Sequence, residues 1–251
     1  MNNDYVQQYG TLENTHWWFL VRQKIILQTL RRNIVFEAKQ PLKILNVGAA
    51  AGASSKWLSS LGKVTSVEPD IFFVEHLRKQ NIDVVQASAD SLPFETEQFD
   101  LVCAFDVIEH VKDDSKAMQE FFRVCKSTGY VCITVPAYQW LWSKHDVVNQ
   151  HFRRYSSGQI FRLSNNVSSA KLIYCSYFNT VLFLPILLVR ALQKIARRSR
   201  ATTAHSDFET YKSGSLQQRF CYQLFSLELV LLRTFKLPFG VSFLALFSKK
   251  A

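Results

Sequence analysis

Two short stretches carry most of the chemistry legible in this 251-residue chain. The first is Asn46-Val47-Gly48-Ala49-Ala50-Ala51-Gly52. Small residues between a buried strand and a helix let main-chain N–H groups come close to a ligand. Glu68 ends the second expected strand, where a carboxylate can accept the protons of both ribose hydroxyls. The pair reads as a nucleotide site, or more plainly as a tight strand–helix turn. The second stretch is His145-Asp146 followed by His151-Phe152-Arg153-Arg154-Tyr155. A histidine beside an aspartate suits a general base with an orienting carboxylate, and paired arginines fork onto a phosphate or carboxylate. A solvated loop with structural salt bridges is the plainer alternative. His110, just past an apolar run, is either a further base or a residue that orients its loop.

These residues need a frame, and the apolar pattern supplies one. The spacing predicts a leading helix over Thr15–Arg32, then strands over Leu42–Val47, Lys63–Val67, Ile82–Gln86, Phe99–Ala104 and Tyr130–Val135. Helical patterns over Ala53–Leu61, Phe72–Gln80 and Ser115–Cys125 fall between them. Strands alternating with helices at this pitch indicate a parallel sheet covered on both faces. Ala137–Tyr155 has no clear period and reads as a functional loop. Further strands are expected at Lys171–Phe178 and Val241–Phe247.

A third set of residues sharpens the first site. Ala89-Asp90-Ser91-Leu92-Pro93-Phe94, Phe99-Asp100-Leu101-Val102 and Phe105-Asp106-Val107-Ile108-Glu109-His110 resemble class I S-adenosylmethionine-dependent methyltransferases over roughly residues 40 to 136. His16-Trp17-Trp18-Phe19-x-x-Arg22 and His151-x-Arg-Arg-Tyr155 are similar to a bacterial subgroup often associated with cell-surface glycan and lipid-linked sugar pathways. The resemblance implies a Rossmann-like, doubly wound, mostly parallel seven-stranded α/β sheet and S-adenosyl-L-methionine as cofactor. It implies cofactor contacts from Asn46, Gly48, Ala49, Gly52, Glu68, Ala89, Asp90 and Asp106. The acceptor side would draw its catalytic base from His110, His145 or His151 and its acceptor contacts from Arg153, Arg154 and Tyr155. Asn46 stands where the family usually has aspartate, and Ala50 where it usually has glycine. Those departures keep a degenerate cofactor-binding interaction module as an alternative. A dinucleotide oxidoreductase would want G-x-G-x-x-G, and its middle glycine is missing here.

Composition bounds the rest. The chain is 48% hydrophobic and 20% charged, which excludes the disordered class. A net charge of +10 points to an acidic partner. The five cysteines form no C-x-x-C pair, so they are expected to be reduced core thiols in a cytosolic protein, and no metal site is expected. The opening residues lack a basic stretch followed by an apolar run, so no signal peptide is expected.

The last two strands of such sheets normally form a hairpin, yet here more than sixty residues separate them. This divides the chain into a helical lid over 1–40, a sheet domain over 41–178 plus 238–251, and an apolar helical insertion over 179–237. Within the insertion, Arg190, Lys194 and Arg197 recur on one face of an apolar helix too short to span a bilayer. That suits a helix lying on an anionic membrane surface, peripheral to the inner face of the cell membrane. A homodimer interface or a cap on the sheet is the alternative. Basic charge beside long apolar helices disfavours nucleic acid. The function expected is methylation, O-methylation favoured, of a hydrophobic or lipid-linked, anionic, glycan-related acceptor. The alternative is a soluble small-metabolite methyltransferase with a dimerising insertion.

Overall fold

Leu42–Val47 (β1) becomes fully buried along its length, as a central strand covered on both faces must be. Its side chains alternate: Ile44 enters one core, while Leu45 and Val47 enter the other. A computed structural model of the chain describes residues 3–35, 41–188 and 215–250. Gly62–Glu68 (β2), Val84–Gln86 (β3), Phe99–Phe105 (β4) and Cys125–Pro136 (β5) run parallel to β1. Ala170–Phe178 (β6) and Ser242–Lys249 (β7) complete a seven-stranded sheet of order β3-β2-β1-β4-β5-β7-β6, with β7 antiparallel to both neighbours. The expected fold class is therefore the observed one.

Each face has its own helices. Trp17–Asn33 (α2) buries Val21, Ile25, Ile26 and Leu30 against β1, β4 and β7. On the opposite face Asp114–Val124 (α5) contributes Met118, Phe121 and Phe122. Ala53–Leu58 (α3) and Ile71–Lys79 (α4) follow β1 and β2.

The expected leading helix is α2, and a further helix, Asn3–Thr15 (α1), precedes it; the two are separated at His16, whose extended backbone caps α2 while its Nδ1 accepts from Trp18 N. The segment after Pro136 is not irregular throughout: it holds Lys144–Val148 (α6), and Ser157–Asn165 (α7) follows, started by a reciprocal Ser156–Gln159 capping box. The described part of the insertion packs on the N-terminal helices. Its helix Leu216–Thr234 (α8) lies on α2, with Phe225 edge-on to Trp17 at 5.7 Å and Leu232 in the same core. Glu228 on α8 accepts from Asn179 N and Val181 N at 2.7 Å each, which ties α8 to the end of β6. The basic face Arg190, Lys194 and Arg197 lies outside the described residues. No helix among the described residues is long and apolar enough to cross a membrane.

Candidate active site

The ends of β1, β2, β3 and β4 meet along one edge of the sheet, where parallel α/β sheets bind ligands. Gly48 (φ 71°), Ala50 (φ 45°) and Gly52 (φ 97°) turn the chain sharply from β1 into α3. A left-handed alanine costs about 1–2 kcal/mol, so Ala50 is held there by its surroundings. A Cβ on Gly48 would lie 2.5 Å from Val107 Cγ2, so this glycine allows the loop after β4 to close onto the turn. The turn's N–H groups are engaged within the protein. Gly48 N and Ala49 N donate to the Val67 carbonyl, Gly52 N to the Ala49 carbonyl, and Ala50 N to Glu68 Oε2 at 2.9 Å. The sharp turn lets its main chain lie close to a ligand, with these four donors already used within the protein.

Asn46 is fully buried beneath the turn and donates to Ser54 Oγ and Ser55 Oγ, bracing the start of α3. Its amide nitrogen thus supports the turn from below, while its Oδ1 has no hydrogen-bond partner among the described residues. Glu68 ends β2 with its carboxylate bonded by Ala50 N and Asp70 N. Burial pushes its carboxyl up to about 7, against the pull of those two donors. A carboxylate has about four acceptor sites, so two remain for ribose hydroxyls. Ala89 is buried and Asp90 half-buried just beyond β3. Asp106 (φ 56°) stands beyond β4 and accepts from Thr134 Oγ1 at 3.2 Å.

The N-terminal helices close over this edge. Val6 and Tyr9 of α1 pack with Ala50, Ala51 and Phe73. Gly10 permits the approach, since a Cβ there would sit 3.3 Å from Ala51 Cβ. Glu13 Oε2 accepts from Ala53 N at 3.3 Å, and burial pushes its carboxyl up to about 7. From α2, Arg22 Nη2 pairs with Asp106 Oδ2 at 2.7 Å and donates to Thr134 Oγ1 at 2.8 Å.

On the acceptor side a turn of 3-10 helix, Ile108–His110, follows β4. The main chain of Phe152 bonds to the Glu109 carbonyl at 2.8 Å, which brings the 151–155 strip against it. His110 and His151 meet edge-to-face with ring centres 4.6 Å apart. Crowding by protein pushes the His110 imidazole down to about 4, aided by His151, although the ring keeps an edge open to solvent. Asp146 bonds His151 Nδ1 at 2.9 Å and Arg154 Nε at 2.7 Å. Burial works to raise its carboxyl, but His151 and Arg154 hold it well below the usual carboxylate range.

Three expectations shift here. The orienting carboxylate Asp146 serves His151, not its neighbour His145, because α6 turns the two adjacent side chains apart; His145 instead lies against Asn149. Arg154 is 3% exposed and also bonds the Ala137 carbonyl. Tyr155 is 1% exposed and bonds Asp114 and the Ile108 carbonyl. Both are buried and bonded within the loop that they build. Arg153 pairs with Asp114 at 2.7 Å but stays partly open. Sequence reasoning left out of the site Glu109, Arg22, Glu13 and Tyr138. Glu109 is fully buried, and its burial together with Asp106 pushes its carboxyl far up. Tyr138 stacks on Tyr177 at 5.1 Å and on Trp140 at 5.3 Å, an aromatic wall just beyond β5.

Comparisons with known proteins fit this geometry. A family model described as a methyltransferase domain matches residues 45–133, the stretch from β1 into β5. A probable S-adenosylmethionine-dependent methyltransferase of Mycobacterium tuberculosis is 26% identical over 128 residues, 50% of this chain and 44% of that protein. The demethylmenaquinone methyltransferase of Chlorobaculum tepidum is 25% identical over 137 residues, 53% of this chain and 54% of that protein. The chain thus matches about half the length of these curated relatives. Among solved structures, the YcgJ protein of Bacillus subtilis superposes with a TM-score of 0.56 at 18% identity, covering 92% of this chain and 99% of that one. Phosphoethanolamine N-methyltransferase 2 of Haemonchus contortus, in complex with S-adenosyl-L-methionine, gives 0.55 at 18% identity, covering 90% of this chain and 52% of that one. At such identities the structural matches establish the fold.

Proposed function

We propose that the protein is an S-adenosylmethionine-dependent methyltransferase acting on a hydrophobic or lipid-linked acceptor, with a hydroxyl oxygen as the favoured methyl acceptor. The donor set at the sheet edge fits the cofactor. Glu68 would take the ribose hydroxyls, Ala89 and Asp90 would flank the base, and the Gly48–Gly52 turn would lie under the amino-acid part. When bound, the cofactor supplies an electrophilic methyl group on a sulfonium centre. The chain's own residues align the acceptor, exclude water and take up its proton.

One observation carries this reading beyond cofactor binding. A histidine pair, His110 and His151, lies beyond β4 with His151 held by buried Asp146. An oriented neutral imidazole can accept a hydroxyl proton as the methyl arrives. Arg153 is the remaining candidate for an acidic group on the acceptor. The wall of Tyr138, Trp140 and Phe183 supports an apolar acceptor, as does the likeness to a demethylmenaquinone methyltransferase. The glycan-related acceptor rests on the motif resemblance alone.

Peripheral membrane association is a second part of the proposal. Leu216, Phe220, Leu227 and Val230 leave an apolar stripe of α8 exposed, and Leu184 and Leu188 are exposed as well. Coverage by a second copy of the chain is the competing account.

Calorimetry with S-adenosylhomocysteine tests the core of the reading. The intact protein should bind one equivalent, and Glu68→Ala should weaken binding about 10- to 100-fold, the worth of lost charged hydrogen bonds. An intact protein that binds none would leave a degenerate interaction module as the better account. Mass spectrometry of co-purified lipid or sugar then identifies the acceptor.

A further inference from the structure

We propose that Glu109, His110 and His151 form a binding site for a single first-row divalent transition metal ion of the zinc class. The site shares His110 and His151 with the proposed base, and a bound ion would occupy the imidazole lone pairs that the base reading uses; its argument rests on donor atoms alone.

One ligand atom from each of the three residues lies within 4.8 Å of the other two. Donors around a tetrahedral zinc stand about 3.4 Å apart, given bonds of about 2.0–2.1 Å. Closing the difference needs at most about 1.4 Å of side-chain movement, which small rotations of His110, His151 and Glu109 can share.

Glu109 makes the independent case. It is 0% exposed, and neither carboxyl oxygen has a hydrogen-bond partner among the described residues. A buried carboxyl with nothing to bond is costly, and such groups call for an explanation. A cation answers the need directly.

The surroundings prepare the histidines as ligands. Asp146 Oδ1 bonds His151 Nδ1 at 2.9 Å, which leaves Nε2 to present its lone pair, and Arg154 fixes Asp146 in turn. A metal-bound histidine almost always has such a partner on its other nitrogen. The His110 ring bonds the main chain of Asn149, the same arrangement with a carbonyl in place of the carboxylate as acceptor. The nearby arginines do not deter a cation, because Arg22 is paired with Asp106 and Arg154 with Asp146.

Two imidazoles and one carboxylate favour zinc or its neighbours over magnesium or calcium, which take oxygen ligands. Three protein ligands leave a fourth position beside the open edge of His110. An acceptor hydroxyl bound there would lose its proton to solvent more readily, through the Lewis acidity of the ion.

The test uses the full chain, stripped with a chelator and titrated with zinc chloride, and in parallel with cobalt chloride read by visible absorption. One ion per chain is expected. His110→Ala should weaken uptake at least about tenfold, and Asp146→Asn about 10- to 100-fold, the range for a lost partner of a metal ligand. Because His110 is exposed, its variant should keep the wild-type melting curve, which separates metal loss from unfolding. Absence of saturable uptake by the wild type overturns the proposal, and so does wild-type affinity and stoichiometry in His110→Ala. S-adenosylhomocysteine titrated into the same samples keeps the two readings apart. Nucleoside binding without metal uptake removes only the metal site, and metal uptake without nucleoside binding removes only the methyl-transfer reading.

Discussion

Arg22 Nη2 sits 2.7 Å from Asp106 Oδ2, so a single ion pair locks the N-terminal helices to the loop beyond β4. The same guanidinium lies over the Trp18 ring at 4.9 Å and bonds Thr134 Oγ1. Replacing Arg22 with alanine leaves Asp106 facing an apolar roof without its partner. Arg22→Ala should cost about 1–3 kcal/mol in urea unfolding, the penalty for a partly buried polar group left unpaired. It should also weaken S-adenosylhomocysteine binding, since the lid then loses its hold on the cofactor edge. Unchanged stability and unchanged binding together would show that the pair is incidental.

The turn after β1 makes a steric prediction. Gly48→Ala places a methyl 2.5 Å from Val107 Cγ2 and asks alanine to keep φ 71°. The variant should lose about 2–4 kcal/mol of stability, combining overpacking with the left-handed cost. Adding Val107→Ala should recover the steric share and leave the backbone share of about 1–2 kcal/mol. Equal stability of the single and double variants would refute the contact.

Glu68 sets a pH dependence for the cofactor. Its carboxyl is pushed up to about 7 by burial, and ribose hydroxyls bond the ionised form more strongly. Affinity for S-adenosylhomocysteine should therefore rise as pH increases through that value, by roughly tenfold between pH 6 and 8. Glu68→Gln cannot ionise and should show a flat profile. A wild-type profile as flat as the variant's would assign the ribose to another residue.

The exposed stripe on α8 separates two partners. Phe220→Glu combined with Val230→Glu adds charge at positions 62% and 64% exposed, so the fold should tolerate it. If the stripe meets a bilayer, the wild type should float with anionic liposomes and the variant should not. Light scattering decides the other case: a wild-type dimer that the variant converts to monomer, without liposome binding, removes the membrane reading.

The sheet was legible in the sequence because its strands are apolar and buried on both faces, as Leu42–Val47 and Phe99–Phe105 show. Glu68 was legible from its place at the end of the second strand, about 16 residues past the glycine turn. What escaped was pairing between distant or adjacent side chains. The sequence places Asp146 next to His145, yet one turn of α6 delivers it to His151. Arg153 and Arg154 look alike in sequence, but only burial distinguishes the half-open one from the structural one. Glu109 lay inside a quoted motif, and only its depth singles it out. The start of α7 could have been found, since Ser156-x-x-Gln159 is a capping signature written in the sequence.

The position of β7 has a consequence for how the protein is made. This strand follows every other strand in the chain, yet it lies between β5 and β6 rather than at the rim. Until residues 242–249 leave the ribosome, β6 has no strand to join and β5 presents a bare edge. The apolar seat for Phe243, Leu244 and Phe247 stays open for the same interval. Bare edges beside unfilled apolar surface recruit neighbouring chains, so a nascent molecule is exposed to misassembly until residues 242–249 are in place. Closure then joins segments more than a hundred residues apart, Val131 with Phe247 among them, which makes it a slow, long-range event. Cellular yield of this protein should depend on chaperones that shield the half-built sheet during that delay.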